Sequence, residues 1–200
     1  MNTFISAFLL GLSLILAIGA QNAYVLKQGL KKQYVFMIVL ICSISDAILI
    51  TLGVSGFGII IQKFPLVITL SKYGGFLFLS IYAIRSIYSS IKKTEIMDTD
   101  TDIKTTRLKS ALICLALTWL NPHVYLDTVI LLGSISTQYP EQKLQFALGA
   151  ISASFIFFFS LGYGSRFLTP LFKNPKSWKV LDFLIGIVMF SIAIKLLLMK

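Results

Sequence analysis

Apolar residues run along this chain in six long blocks, at about 4–26, 34–60, 70–91, 108–135, 144–166 and 178–198. Roughly 20 apolar residues carry a helix across the hydrocarbon core of a bilayer, so each block predicts one membrane span. The one substantial hydrophilic stretch, 89–109, divides the six spans into three and three. The expected fold is all-α: a polytopic membrane helix bundle of about six spans. Its expected parts are a first three-helix repeat over 1–91, a cytoplasmic linker over 92–107 and a second three-helix repeat over 108–200.

An offset of 99 residues places Asn22 on Asn121 and Val25 on Val124, and lays the second and third spans over the fifth and sixth. A repeat with an odd number of spans re-enters the membrane upside down, so the two halves are expected to be inverted copies. Inverted repeats let one bundle open to either side of a site at the repeat interface.

Composition excludes a soluble domain, because a chain that is 56% hydrophobic and 13% charged has too few polar residues to cover a core. The net charge of +10 is then a statement about loops. The loops after the first, third and fifth spans hold 12 Lys and Arg, and the opposite side holds 5, with Arg85 inside the third span near its basic end. The positive-inside rule puts the richer side in the cytoplasm and both termini outside. Attraction to anionic lipid is a second consequence. The first block lacks the basic n-region of a secretory signal and reads as a retained helix, although Ala17-Ile18-Gly19 resembles a cleavage site.

Several features have plain readings. Asp98-Thr99-Asp100-Thr101-Asp102 opens like a calcium loop, but Ile103 stands where the turn needs glycine and Lys109 where a bidentate Glu belongs. Cys42 and Cys114 lie in different apolar blocks without metal-ligand spacing and read as inert core thiols. Phe155, Phe157, Phe158 and Phe159 read as lipid-facing or packing residues, and Tyr34, Tyr139, Tyr163 and Trp178 as belt aromatics at span ends. Gly149 with Ala153, and Ser160 with Gly164, have the spacing of small residues at helix contacts.

The chemistry lies in polar groups where lipid would exclude them. Asp46 is near the middle of the uninterrupted run 41–52, where an ionised Asp costs about 2.5–3.5 kcal/mol on the translocon scale. It is expected to engage a cation or a proton, with no Lys or Arg at comparable depth on another span. Asp182 is assigned to the mouth of the last span. Asp127 lies six residues beyond Asn121, about 9 Å further along a helix. Asn121-Pro122 is expected to break the fourth span and free carbonyls for a ligand, or else to be a simple kink with Asp127 paired to an interfacial lysine. Gln21 and Asn22 follow Gly19 and Ala20, small residues that permit unwinding. His123, the single histidine, suits proton exchange or a packing role.

These residues resemble the LysE family of bacterial basic amino-acid exporters, which includes the arginine exporters. The resemblance is carried by Gly19-Ala20-Gln21-Asn22, Val25-Leu26-Lys27-Gln28-Gly29, Asp46, and Asn121-Pro122-His123-Val124-Tyr125-Leu126-Asp127-Thr128. Related threonine and homoserine exporters carry Pro-Gly-Pro in the first span, whereas this chain has Gly-Ala-Gln. Many relatives read Gly-Pro-Gln-Asn where this chain has Ala20, so a break here must rest on Gly19 and amide bonding. The resemblance implies export of lysine or arginine, driven by the proton gradient or membrane potential. Asp46 and Asp127 would then engage the positive side chain or a coupling proton, and Gln21, Asn22 and Asn121 the α-amino and carboxylate groups. Other readings are a divalent-metal transporter, an exporter of another small amino acid, a thiol electron carrier using Cys42 and Cys114, or a noncatalytic scaffold. No enzymatic activity, cofactor, resident metal or nucleic acid is expected. Expected partners are the amino acid and membrane lipid, with a homo-oligomer left open.

Overall fold

The computed structural model describes residues 2–16, 19–57, 65–92 and 106–198, and within these every regular element is helical. The calcium-like run at 98–102 lies outside the described residues. Four helices are long and apolar enough to cross a membrane, and two bent pairs bring the number to six if each pair is one span. The first pair is α1 (Thr3–Ile15) and α2 (Ala20–Lys31), at 82° to each other. The second is α5 (Arg107–Trp119) and α6 (Pro122–Ser136), bent by 58°. The unbroken helices are α3 (Val35–Leu52), α4 (Pro65–Lys92), α7 (Lys143–Gly164) and α8 (Pro175–Leu198).

The helix ends follow local chemistry. The α2–α3 turn is tight because Lys32 and Tyr34 both adopt left-handed backbone, which lets Lys32 N–H and Gln33 N–H close onto the carbonyls of Gly29 and Gln28. Thr106 caps α5 by accepting from the Lys109 N–H at 3.3 Å. A π-helical turn, Gly53–Phe57, ends α3, and Gly56 there has φ 93°, a conformation suited to glycine.

Packing pairs the halves with each other: α1 and α2 lie on α7, α5 and α6 on α3, α3 on α7, and α4 on α8. The end of α3 approaches α6 closely. A Cβ on Gly53 would lie 2.5 Å from the Thr128 carbonyl oxygen, and one on Gly133 would lie 2.6 Å from the Gly53 carbonyl oxygen. Those two glycines let the helices carrying Asp46 and Asp127 touch backbone to backbone. Gly149 packs as its spacing predicts, since a Cβ there would lie 2.3 Å from the Phe4 carbonyl oxygen. Gly164 does not: a Cβ there meets nothing within 4 Å, and Ser160 is exposed. That pair lies on the outward side of α7, while Gly162 between them packs against Val35 and Val39 of α3.

Two side-chain pairs correct the sequence reading. Asp182 is not at the mouth of a span but 2% exposed inside α8, which starts earlier than expected, at Pro175. Lys27, expected in a loop, belongs to α2 and places its Nζ 2.5 Å from Asp182 Oδ1, while Ser89 Oγ donates to Oδ2 at 2.9 Å. A buried carboxylate of this kind needs a cation and hydrogen bonds, and here two neighbouring helices, α2 and α4, supply them. Cys42 and Cys114 are fully buried, as read, but their sulfurs are in contact at 3.3 Å across α3 and α5.

Candidate functional site

Both helix breaks, the middle of α3 and the end of α8 meet at one cavity of about 250 Å³. Gly19, Gln21 and Asn22 line it from α2 and its cap, Asp46 and Ile50 from α3, Asn121, His123, Asp127 and Thr128 from α6 and its cap, and Lys195 from α8. Of the candidates named from sequence, Pro122 alone is not in its lining. Phe158 and Leu132 supply apolar wall. A volume below the ~300–1,000 Å³ of drug-sized sites suits one small ligand.

The breaks are built differently. At the first, Gly19 caps α2 with extended backbone, φ −109° and ψ 173°, and, having no side chain, makes no side-chain cap hydrogen bond. Asn22 Nδ2 donates to the Ile15 carbonyl at 2.8 Å, covering an acceptor left at the end of α1. A sharp break therefore forms without proline at position 20, through Gly19 and an amide. At the second, Asn121 Oδ1 accepts from the His123 N–H at 3.2 Å, and Pro122 occupies the first helical turn, where its missing N–H costs nothing. Proline here starts a helix rather than kinking one. The carbonyls it was expected to free are covered by the chain itself, because Tyr125 Oη donates to Trp119 O at 2.8 Å and Asn121 N–H to Thr118 O at 3.3 Å.

Asp46 is 4% exposed, and its Oδ2 accepts from Ser154 Oγ of α7 at 2.8 Å. Among the described residues the one ion pair is Lys27–Asp182, so neither acid of the cavity is neutralised by direct contact. Asp127 sits in a π-helical turn, Tyr125–Leu131, a local widening that recurs at functional sites. Two buried nitrogens in the lining lack an oxygen or nitrogen partner among the described residues: Gln21 Nε2 and His123 Nδ1. Buried polar atoms without such partners are uncommon, and both belong to residues of the cavity lining.

Sequence reasoning missed Lys195. Three residues from the end of α8, it was counted with the outer loops, yet it lines the cavity within electrostatic reach of Asp127 and His123. Nothing in a linear pattern places a near-terminal lysine beside residues 121–127, since that proximity comes from how α8 packs. Among the described residues, no three His, Cys, Asp or Glu side chains converge as a metal site.

The cavity joins the two segments that resemble the LysE exporters, and comparison with known proteins decides the relationship. A model of the LysE type translocators matches residues 12–200. This chain belongs to the LysE family. LysE relatives include the arginine exporter protein ArgO of Salmonella enteritidis PT4 and that of Salmonella typhimurium. Each is 39% identical over 194 residues, covering 96% of this chain and 92% of the relative. No solved structure matches the chain. As a LysE translocator the protein is a multi-pass membrane transporter, not an enzyme.

Proposed function

We propose that this protein exports cationic L-amino acids, arginine or lysine, across the bacterial cytoplasmic membrane by alternating access. The observation that carries the reading is the meeting of Asp46 and Asp127, from different helices, with the uncapped N-terminus of α2 in one small cavity. Such a site offers an amino acid two opposite ends. The carboxylates attract the guanidinium or ammonium. The positive N-terminal end of α2, with the Gln21 amide, suits the α-carboxylate. Asn22 and Asn121 act mainly by holding the breaks that aim these groups, and Pro122 by starting α6. His123, with an unpartnered Nδ1, is the candidate for proton exchange. The substrate named for the Salmonella relatives, arginine, agrees with this chemistry.

The repeat reading has support in the packing. Exchange of the halves turns the α1–α2 contact with α7 into the α5–α6 contact with α3, and leaves the α3–α7 and α4–α8 contacts unchanged. A three-plus-three inverted repeat, 1–91 and 108–200 around a linker at 92–107, gives this symmetry and a bistable bundle around the central cavity. The test is efflux from cells that lack their own exporters and are loaded with arginine- or lysine-containing dipeptides. Faster efflux of arginine or lysine, but not threonine, is expected with the protein present. An unchanged rate, with the protein verified in the membrane and the proton gradient intact, would overturn the proposal.

A further inference from the structure

A second cavity, about 280 Å³, lies between α2, α4 and α5 on the side of the bundle where α2 and α4 end and α5 begins. It is lined by Lys27, Arg85 and Lys109, with Tyr82, Ser86 and Ser89 beside them. Among the described residues its charge does not balance. Lys27 is matched by Asp182, but among the described residues neither Arg85 nor Lys109 is in an ion pair. Two cations on separate helices thus face one cavity with hydroxyl donors between them, a donor set for an oxyanion.

The surroundings identify the kind of anion. On α4, Arg85 is flanked by Ile81, Ile84 and Tyr88, and on α5, Lys109 is flanked by Leu108 and Leu112, all exposed on the outside of the bundle. These apolar faces belong against acyl chains, so the cavity opens toward lipid at headgroup depth. It also lies on the Lys- and Arg-rich side, where anionic headgroups of the cytoplasmic leaflet gather. A cationic amino acid would be repelled here, which separates this cavity from the one holding Asp46 and Asp127. We propose that Arg85 and Lys109, with Ser86 and Tyr82, bind the phosphate group of an anionic membrane lipid between α4 and α5. This inference needs the membrane reading but not the choice of transported substrate.

Native mass spectrometry of the full chain tests it, with phosphatidylglycerol and zwitterionic phosphatidylethanolamine at equal concentration and inorganic phosphate as a soluble competitor. One phosphatidylglycerol is expected to be retained over phosphatidylethanolamine by roughly tenfold or more, since each basic residue near the surface contributes about a factor of five. The Arg85→Gln and Lys109→Gln variants should each lose several-fold of that preference. The charge-conserving Arg85→Lys and Lys109→Arg variants should keep it. Equal retention of both lipids, or full preference in both Gln variants, would overturn the site. Release of the bound lipid by millimolar inorganic phosphate would overturn the lipid source and assign the cavity to free phosphate.

Discussion

Asp46 and Lys195 divide the electrostatics of the transport cavity between them. The Asp46 carboxyl, buried and held by the Ser154 hydroxyl, has no cation in contact among the described residues. Asp46→Asn keeps the shape and removes the charge, so arginine efflux should fall at least tenfold while the amount of protein in the membrane is unchanged. Unimpaired efflux by that variant would remove Asp46 from the site. Ser154→Ala leaves the charge and deletes one hydrogen bond to it, worth about 1.5–3 kcal/mol, and should slow efflux less than Asp46→Asn. Lys195 has the sign of the proposed substrate and faces the same acids. Lys195→Gln makes the cavity more negative, so the half-saturating arginine concentration should drop several-fold. A rise instead would show that Lys195 holds the substrate carboxylate.

At the level of helices, glycine and charge pairing set how closely the elements approach. Gly53→Ala forces its new methyl onto the backbone of α6, and overpacking of this kind costs about 1–3 kcal/mol, read as a lower midpoint of thermal unfolding in detergent. Gly164→Ala, placed in open space, should leave that midpoint unchanged. Asp182→Ala removes the carboxylate paired with the mostly buried Lys27 ammonium and should cost about 3–5 kcal/mol. The double variant Lys27→Met, Asp182→Leu should recover most of that loss. The same elements show which parts of the fold were legible in a linear pattern. Apolar runs located the long helices because lipid demands hydrophobic length, and Asp46, Gln21 and Asn121 stood out because they violate it. Asp182 and Lys27 did not stand out, since a charge close to a span end reads as a loop residue until its partner is known. The Cys42–Cys114 contact and the place of Lys195 depend on which helices are neighbours, which periodicity does not encode. Nor does a hydrophobic run distinguish a π-helical turn from an α-helical one, so the turn under Asp127 had no signature.

Whether each bent pair crosses the whole membrane or dips in and returns determines the topology of the entire molecule. If both pairs cross, the six spans alternate, and Gln33, in the α2–α3 turn, shares a side with Asn174, ahead of α8, while Gln138, after α6, lies opposite. If both pairs return to the side they left, only α3, α4, α7 and α8 cross. Gln33 would then share a side with Gln138, and Asn174 would lie opposite. Charge favours the first arrangement, because with Lys27 and Lys195 set aside as parts of the bundle it gathers 11 Lys and Arg on one face against 4 on the other. In the Cys42→Ala, Cys114→Ala background, which should retain transport because neither thiol lines the cavity, single cysteines at the three positions can be labelled with a membrane-impermeant maleimide. Gln138→Cys should react in intact cells, and Gln33→Cys and Asn174→Cys only after the cytoplasmic membrane is opened. Labelling of Gln33→Cys and Gln138→Cys from the same side, with Asn174→Cys opposite, would establish re-entrant pairs. Alternating access would then have to arise from the four crossing helices, with α1–α2 and α5–α6 moving between them as two half-inserted arms that still meet at the cavity.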